Sequence, residues 1–267
     1  MIKKIIKQGL NLAGFEIRRT NKEKNTPLVS SRTQDLTLHH TATGDYYLPT
    51  DAHQDVIAIA IKNNKIFDKE VLDIASKYIK QGTAVLDIGA NFGQMSVLFS
   101  KLVGDNGTIF SFEADNFIFE ILKKNIIVNN EEDHIKPIFG AVYNTPDEVL
   151  YFPEQDFKEF GTYGSYGIDY KKNTGGREVK SITIDSLQIA QPISFIKIDI
   201  QGGDLQAMEG AIETIKRNKM PILFEYEYLF EERLMMCFQD YVDFVSKINY
   251  RFERVINGQN YLILPNQ

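Results

Sequence analysis

Apolar and polar residues follow two different periods in turn along most of the chain. Five short apolar runs have the length of buried strands and cover residues 84–88, 108–112, 134–142, 194–200 and 221–227. Between them, apolar residues recur at helical spacing and predict helices over residues 70–79, 94–102 and 117–129. Strands that alternate with helices predict a parallel sheet with helices packed on its faces.

The chain closes with two further strand-like runs. Residues 250–255 and 260–264 lie on either side of the dipeptide Asn257-Gly258. Asn-Gly between two such runs predicts a tight type I′ turn and therefore an antiparallel hairpin. We expect this hairpin to complete the parallel sheet.

The first predicted strand leads into a glycine-rich turn that an acidic residue precedes. Asp87 closes the strand, and Gly89 and Gly93 flank Asn91, a residue type that tolerates positive φ. Glycines let the backbone approach a ligand, and the following helix presents unpaired N–H groups. The next strand ends in Glu113, whose carboxylate can accept both hydroxyls of a ribose. The pattern predicts a site for a nucleoside-containing cofactor.

The charge beside the turn indicates which cofactor this is. The spacing D-x-G-x-N-x-G differs from the G-x-G-x-x-G turn of dinucleotide-binding folds. Asp87 would repel a pyrophosphate, whereas S-adenosylmethionine (SAM) carries a sulfonium and an ammonium that suit a carboxylate. We therefore favour SAM over NAD.

Three segments together resemble the FkbM-type methyltransferases, which are SAM-dependent O-methyltransferases of the class I fold. They are V-L-D-I-G-A-N-F-G at 85–93, F-E-A-D at 112–115 and F-I-K-I-D-I-Q-G-G-D-L-Q-A-M-E-G-A at 195–211. The resemblance covers residues 51–229. It implies an α/β, Rossmann-like domain with a mostly parallel seven-stranded sheet, a terminal antiparallel hairpin and helices on both faces. The family usually carries Glu where this chain has Gln201, and this departure bears on catalysis rather than on the fold.

The predicted SAM site lies at the carboxyl ends of the first three strands. The resemblance implies that adenine lies near the end of the third strand, at Ala141. The predicted cofactor-binding residues are Asp87, Gly89, Ala90, Asn91, Gly93, Glu113, Ala114 and Ala141.

Charged residues interrupt two strands that a parallel sheet would normally bury on both faces. Lys197 and Asp199 share one face of the run at 194–200, and Glu225 lies on the next strand. An alcohol must lose its proton to accept a methyl group, and a positioned base contributes about 10²–10⁴-fold to such a step. We predict Asp199 as this base, Lys197 as the residue that orients it or lowers its pKa, and Glu225 as the second candidate. Two other interpretations of Lys197 and Asp199 stay open, a buried structural salt bridge and a contact with the amino-acid portion of SAM.

Clustered carboxylates on adjacent strands can also hold a divalent cation, because hard cations favour oxygen ligands. Gln201 removes a charge from this cluster. We therefore predict no metal.

A loop rich in glycine and tyrosine covers residues 159–167, between two segments, 149–152 and 178–184, that alternate like antiparallel strands. Aromatic faces stack on the C–H surfaces of sugar rings. We interpret the loop either as a lid over a sugar-like acceptor or as an exposed turn.

Composition limits the partners. A net charge of −6 argues against nucleic acid as the partner, because proteins that bind nucleic acid usually carry a basic patch. Cys237 is the only cysteine, which excludes a disulfide framework and a cysteine-based metal site and fits a reducing, cytoplasmic setting. No apolar run approaches the ~18 residues that are needed to span a bilayer.

The N-terminal residues differ from the rest. Apolar residues at helical spacing over residues 2–13, with lysines largely opposite, predict a basic amphipathic helix within residues 1–19. Such a helix either docks on the domain or on another subunit of a homo-oligomer, or lies on the inner membrane surface as a peripheral contact. Polar residues without periodicity then predict a linker or arm over residues 20–50. The methyltransferase domain is expected at 51–267.

Together these features predict an enzyme that methylates an oxygen of a small-molecule or glycan acceptor, such as a sugar hydroxyl of a glycan or glycolipid precursor. The sugar acceptor rests on the resemblance and on the aromatic loop. A catalytically inactive binding module is one alternative, favoured by Gln201 and opposed by Asp87 and Glu113. An NAD-dependent oxidoreductase is the other, disfavoured by the turn spacing and the terminal hairpin.

Overall fold

The computed structural model of the protein describes residues 35–153, 162–164, 167 and 176–266. The strands, in chain order, are β1 (Leu36–Thr41), β2 (Gly44–Pro49), β3 (Ala84–Ile88), β4 (Thr108–Glu113), β5 (Ile135–Phe139), β6 (Ala141–Val142), β7 (Val149–Pro153), β8 (Gly176–Ile182), β9 (Ile193–Ile198), β10 (Ile222–Glu225), β11 (Tyr250–Ile256) and β12 (Asn260–Pro265). The helices are α1 (Val56–Lys62), α2 (Lys69–Tyr78), α3 (Gln94–Val103), α4 (Asn116–Val128), α5 (Asp204–Glu209), α6 (Ile212–Asn218), α7 (Glu231–Leu234) and α8 (Phe238–Lys247).

The central sheet has seven strands in the order β11-β12-β10-β9-β3-β4-β5. β12 is antiparallel to both of its neighbours, and the other pairs are parallel. The strand order reverses between β3 and β9, because the chain runs from β3 outward to β4 and β5 before β9 pairs with the other edge of β3. Ligands of open α/β sheets bind at such a switch point, outside the carboxyl ends of the strands. The predicted fold class is confirmed.

Alternate side chains of the central strands enter two separate cores. Val85 of β3 and Phe195 of β9 pack in the core that contains residues of α2, α3 and α4. Their sequence neighbours Leu86 and Ile196 pack in the core that contains residues of α5, α6 and α8. All four side chains are fully buried, and the burial of each stabilises the fold by ~1.5–3 kcal/mol. Helices therefore cover both faces of the sheet, as predicted.

The hairpin predicted at the end of the chain is formed by β11 and β12. Gln259 N donates a hydrogen bond to Ile256 O at 3.2 Å and closes the turn. Asn257 and Gly258, at the centre of the turn, have φ values of +52° and +77°. Positive φ at both central residues is what a type I′ turn requires, so the prediction is confirmed.

The strand predicted over residues 134–142 divides at Gly140. β5 stays in the central sheet, whereas β6 pairs with β8 in a smaller sheet of order β6-β8-β7. Gly140 has a φ of +153°, which residues with a side chain rarely adopt, and a Cβ atom there would lie 2.4 Å from Ile182 Cδ1, so glycine is favoured where the chain passes between the sheets. β7 and β8 are antiparallel, as predicted for residues 149–152 and 178–184.

β1 and β2 form an antiparallel hairpin in a stretch that the sequence pattern assigned to a linker. Tyr46 and Leu48 of β2 are fully buried. The Asn125 side chain of α4 pairs with the backbone of Tyr47, since its Oδ1 accepts from Tyr47 N at 2.6 Å and its Nδ2 donates to Tyr47 O at 3.1 Å. The β1–β2 hairpin therefore packs on the domain although it lies upstream of residue 51, where the boundary was expected.

The helix predicted over residues 2–13, and the linker as far as residue 34, lie outside the described residues. Contact of this segment with a membrane or with another subunit therefore stays a prediction. In the part of the chain that the structure describes, no helix combines the length and the apolar character that crossing a membrane requires.

Candidate functional site

A cleft of about 680 Å³, which includes space open to solvent, lies at the carboxyl ends of β3, β4 and β9 and forms the first cavity. This is the edge at which the switch point of the sheet places a ligand. The ends of these strands and the loops that follow them form most of the walls, and residues 57, 140–142, 163, 164 and 167 form the remainder. The predicted site residues on these walls are Gly89, Asn91, Glu113, Ala114, Ala141 and Asp199.

The turn after β3 has the left-handed backbone that its sequence predicts. Gly89, Asn91 and Gly93 have φ values of +83°, +50° and +86°. Asn91 supports its own conformation, because its Oδ1 accepts a hydrogen bond from Phe92 N at 2.7 Å. A Cβ atom on Gly89 would lie 1.9 Å from the carbonyl oxygen of Asp199. Glycine is therefore required where the turn meets the loop after β9.

The remaining predicted cofactor residues lie around the turn. Gly93 is the N-cap of α3. Ala90 lines a second cavity of about 420 Å³, which shares Gly89, Asn91 and Asp199 with the first and so adjoins it. The two cavities thus meet at the glycine turn.

Glu113 connects β4 to the glycine turn. Its Oε2 accepts a hydrogen bond from Asn91 N at 3.0 Å, and its Oε1 accepts from Ala114 N and Asp115 N at 2.8 Å each. Burial raises the pKa of Glu113 to about 7, and these backbone hydrogen bonds oppose the rise. A carboxylate has roughly four lone-pair positions, so Oε2 keeps one for a ligand hydroxyl.

Asp87 lies directly opposite Lys197 in the register of β3 and β9. Its side chain is fully buried beneath the glycine turn, where Oδ2 accepts a hydrogen bond from Ser96 Oγ at 2.5 Å. Asp87 Oδ1 lies 3.5 Å from Lys197 Nζ, which itself donates to Gly89 O at 2.9 Å. Asp87 therefore supports the turn through Lys197 and is not among the residues that line the two cavities.

Lys197 is an ammonium surrounded by carboxylates. Nζ lies 3.4 Å from Asp199 Oδ2 and 3.5 Å from Asp87 Oδ1, and Asp68 adds a third negative charge nearby. Burial disfavours the charged form, but attraction to Asp199, Asp87 and Asp68 outweighs it and holds the pKa of Lys197 above its usual value. Lys197 therefore stays charged and cannot act as a base. The buried salt bridge that the sequence left open is present.

Gln201 bridges the two candidate bases. Its Nε2 donates to Glu225 Oε2 at 2.9 Å and to Asp199 Oδ1 at 3.3 Å. Asp199 and Gln201 line the first cavity, whereas Glu225 lies behind them. Burial raises the pKa of Glu225 to about 10, and the negative charge and the hydrogen bond of Asp199 add to the rise. Glu225 therefore holds its proton at neutral pH.

Asp204 belongs to this cluster and was missed in the sequence. It is fully buried at the start of α5, and its Oδ1 accepts a hydrogen bond from Glu225 N at 3.2 Å. Burial raises the pKa of Asp204 to about 7, and the charge of Asp199 adds to the rise. The only sequence signal was its position after Gly202 and Gly203.

Part of the glycine- and tyrosine-rich loop forms a wall of the first cavity. Tyr163 and Gly164 line it, and Tyr163 is 6% exposed. Tyr163 N donates to Asp55 Oδ2 at 2.7 Å, while Asp55 Oδ1 accepts from Ala58 N and caps α1. The Tyr163 ring packs edge-on against Phe92, 6.0 Å away between centroids. This portion is therefore no exposed turn, and the rest of the loop lies mostly outside the described residues.

No three His, Cys, Asp or Glu side chains in the described part of the chain are grouped so as to hold a metal ion. The absence of a metal requirement stays a prediction.

The strand order, the glycine turn and the acidic strand end at Glu113 define a class I methyltransferase fold. The family model for the methyltransferase FkbM domain matches residues 87–252, more than half of the chain. The protein belongs to the FkbM methyltransferase family, and its cofactor is SAM. The carboxylate of Glu113 beside the cavity fits the ribose of this cofactor, and the excess of carboxylates fits its positive charge.

Several solved structures are similar to the chain. The methyltransferase FkbM from Methylobacillus flagellatus KT is 17% identical, with 70% of this chain and 44% of that chain covered and a TM-score of 0.45. A SAM-dependent methyltransferase from Aquifex aeolicus is 13% identical, with coverages of 79% and 92% and a TM-score of 0.42. The tRNA (uracil-54, C5)-methyltransferase of Pyrococcus abyssi, in complex with S-adenosyl-L-homocysteine (SAH), is 12% identical, with coverages of 86% and 44% and a TM-score of 0.44. No curated protein matches the chain.

Proposed function

We propose that this protein transfers the methyl group of SAM to an oxygen atom, namely a sugar hydroxyl of a glycan or glycolipid precursor. The observation that carries the proposal is the position of Asp199. Its carboxylate lines the first cavity, and two donors hold it there, Lys197 Nζ at 3.4 Å and Gln201 Nε2 at 3.3 Å. A fixed carboxylate beside the cofactor cavity suits a general base for a hydroxyl.

In this proposal Glu113 binds the ribose of SAM, and Ala114 and Ala141 line the adenine subsite. Gly89 and Asn91, which line the first cavity and have positive φ, bring the backbone of the turn close to the cofactor. When bound, SAM supplies an electrophilic methyl group on a sulfonium. The task of the protein is then alignment, since an in-line displacement depends on the geometry of its reactants.

Asp199 takes the proton of the acceptor hydroxyl. Glu225, whose pKa is raised to about 10 by burial and by Asp199, keeps its own proton at neutral pH and stays a hydrogen-bonding neighbour. Gln201 fixes both groups through one amide nitrogen. A base held in this way accelerates the transfer step by about 10²–10⁴-fold.

The charge around the base favours an uncharged acceptor. Glu227 lies close enough to Asp199 to interact with it electrostatically, so these two carboxylates lie near each other, while Glu225 is neutral. A phosphodiester would be repelled there, which disfavours RNA and DNA. Tyr228, which is 72% exposed directly after Glu227, offers an aromatic face of the kind that stacks on sugar rings.

Incubation of the purified chain with methyl-labelled SAM and three pools of acceptors tests the proposal. The pools contain oligosaccharides, RNA and catechols. We expect label in the oligosaccharides, and we expect Asp199→Asn to lose the transfer while it still binds SAH. Label in RNA or catechols would overturn the proposed acceptor. Failure of the wild-type chain to bind SAM or SAH would overturn the assignment of the first cavity as the cofactor site.

A second candidate is a binding module that no longer transfers methyl groups. Gln201 favours it, because an amide stands where the family usually has a carboxylate. This candidate predicts saturable binding of SAH without transfer to any pool. Transfer that appears only in Gln201→Glu would support it against the first proposal.

A further inference from the structure

The second cavity contains a carboxylate that the proposed chemistry does not use. Its walls are mostly apolar, and Phe67 and Val71 contribute to them. Asp68 lies between these two residues in sequence and lines the cavity together with Asp199 and Lys197. A largely apolar cavity with a few convergent charged groups is typical of a small-molecule site.

We propose that Asp68 binds the α-ammonium group of the methionine portion of SAM. The inference rests on the proposed function, because it extends the cofactor site from the first cavity into the second. The two cavities share Gly89, Asn91 and Asp199. Glu113 lies on the first cavity and Asp68 on the second, so a ligand that spans both has Asp199 beside its middle.

The backbone of Asp68 supports a ligand-binding role. Its φ and ψ are +51° and +47°, in the left-handed region that residues with a side chain rarely adopt. Asp68 is also the N-cap of α2, where an Asp side chain normally accepts a hydrogen bond from the first turn of the helix. The Asp68 side chain makes no such capping bond. Its carboxylate instead lines the cavity.

Charge balance supports a cationic ligand. Lys197 is the only cation among the described residues that line the second cavity. Three carboxylates, those of Asp68, Asp87 and Asp199, act on its ammonium. Of these carboxylates, Asp68 and Asp199 line the cavity, so two carboxylates oppose one ammonium there, and a second ammonium reduces the excess.

Two ligands that differ only in the amino-acid portion provide the test. SAH contains this portion, and 5′-methylthioadenosine contains the adenosine and sulfur without it. In calorimetric titration we expect Asp68→Asn to lower the affinity for SAH at least tenfold. Its affinity for 5′-methylthioadenosine should stay within twofold of the wild-type value. Asp73→Asn is the matched control, because Asp73 is an exposed carboxylate on the same helix, and it should change neither affinity. Unchanged SAH affinity in Asp68→Asn, or equal losses for both ligands, would overturn the inference.

A measurement on the wild-type chain covers the case in which Asp68→Asn does not fold. SAH and its deaminated analogue, in which hydrogen replaces the amino group, are titrated into the same protein. We expect the analogue to bind at least tenfold more weakly, and equal affinities would overturn the inference. A wild-type chain that binds neither SAH nor 5′-methylthioadenosine would instead reject the proposed function.

Discussion

The side-chain amide of Gln201 donates a hydrogen bond to Glu225, with 2.9 Å between Nε2 and Oε2. The same nitrogen lies 3.3 Å from Asp199 Oδ1, so one neutral side chain connects two carboxyl groups. A carboxylate in its place would remove the donor and add a negative charge. The bridge shows how this chain accommodates an amide between two carboxyl groups.

We expect Gln201→Glu to lower the free energy of unfolding by about 1–3 kcal/mol near pH 8, because the acceptors on Asp199 and Glu225 lose their donor. The deficit should shrink toward pH 5.5, where protonation of the new carboxyl restores a donor. Urea unfolding at both pH values measures it. Gln201→Ala loses the bridge without adding a charge and should show a similar deficit at both. A deficit of Gln201→Glu that does not change with pH would contradict the bridge.

We expect the affinity for SAH to fall as the pH drops below about 7. Burial raises the pKa of Glu113 to about 7, and the ribose hydroxyl is bound by the carboxylate form. Proton and ligand therefore compete, so Kd rises toward tenfold for each pH unit below the pKa and is constant above it. Calorimetric titrations between pH 5.5 and 8.5 check this. Glu113→Gln should bind SAH weakly at every pH, and a wild-type Kd that is the same throughout would remove Glu113 from the ribose site.

We expect Asp199→Asn to lower kcat by about 10²–10⁴-fold, because the amide cannot take the proton of the acceptor. The Kd for SAH should stay within about threefold, since the amide retains the shape of the carboxylate. Steady-state rates and calorimetry on one preparation separate the two effects. Equal losses in kcat and in affinity would make Asp199 a cofactor ligand instead of the base.

We expect Asp87→Ala to lower the free energy of unfolding by about 3–5 kcal/mol, the usual effect of removing one member of a buried ion pair. Lys197 loses one of its carboxylates, and Ser96 loses its acceptor. SAH binding should weaken as well, because Lys197 supports the glycine turn through Gly89 O. Asp87→Asn keeps an acceptor for Ser96 and should be less destabilising. Lost SAH binding at full stability would show instead that Asp87 contacts the cofactor directly.

Local patterns were sufficient for the elements on which the site depends. Apolar runs, the glycine turn and Asn257-Gly258 each specify structure within a few residues, so the sheet and its terminal hairpin could be predicted. The hairpin of β1 and β2 could not, because its burial depends on α4. Tyr47 meets Asn125 across 78 residues of chain, and such a contact leaves no periodic signal near either residue.

Side-chain relations within the site depend on strand register, which single segments do not reveal. Asp87 ends a strand beside a glycine turn and therefore resembles a ligand in sequence. Its burial beneath the turn follows from its pairing with Lys197 across β3 and β9. Glu225 similarly resembled a base, whereas the fold places it behind Gln201. Residue types could be predicted, and their depth in the site could not.

Asn125, which pairs with the β1–β2 hairpin, also contacts the glycine turn. Its Nδ2 donates to Phe92 O at 2.9 Å as well as to Tyr47 O at 3.1 Å. One buried amide thus couples the β1–β2 hairpin to the glycine turn. A chain shortened to begin at residue 51 would lack the strand that pairs with Asn125. The glycine turn would then lose part of its support, because Asn125 also holds Phe92 O.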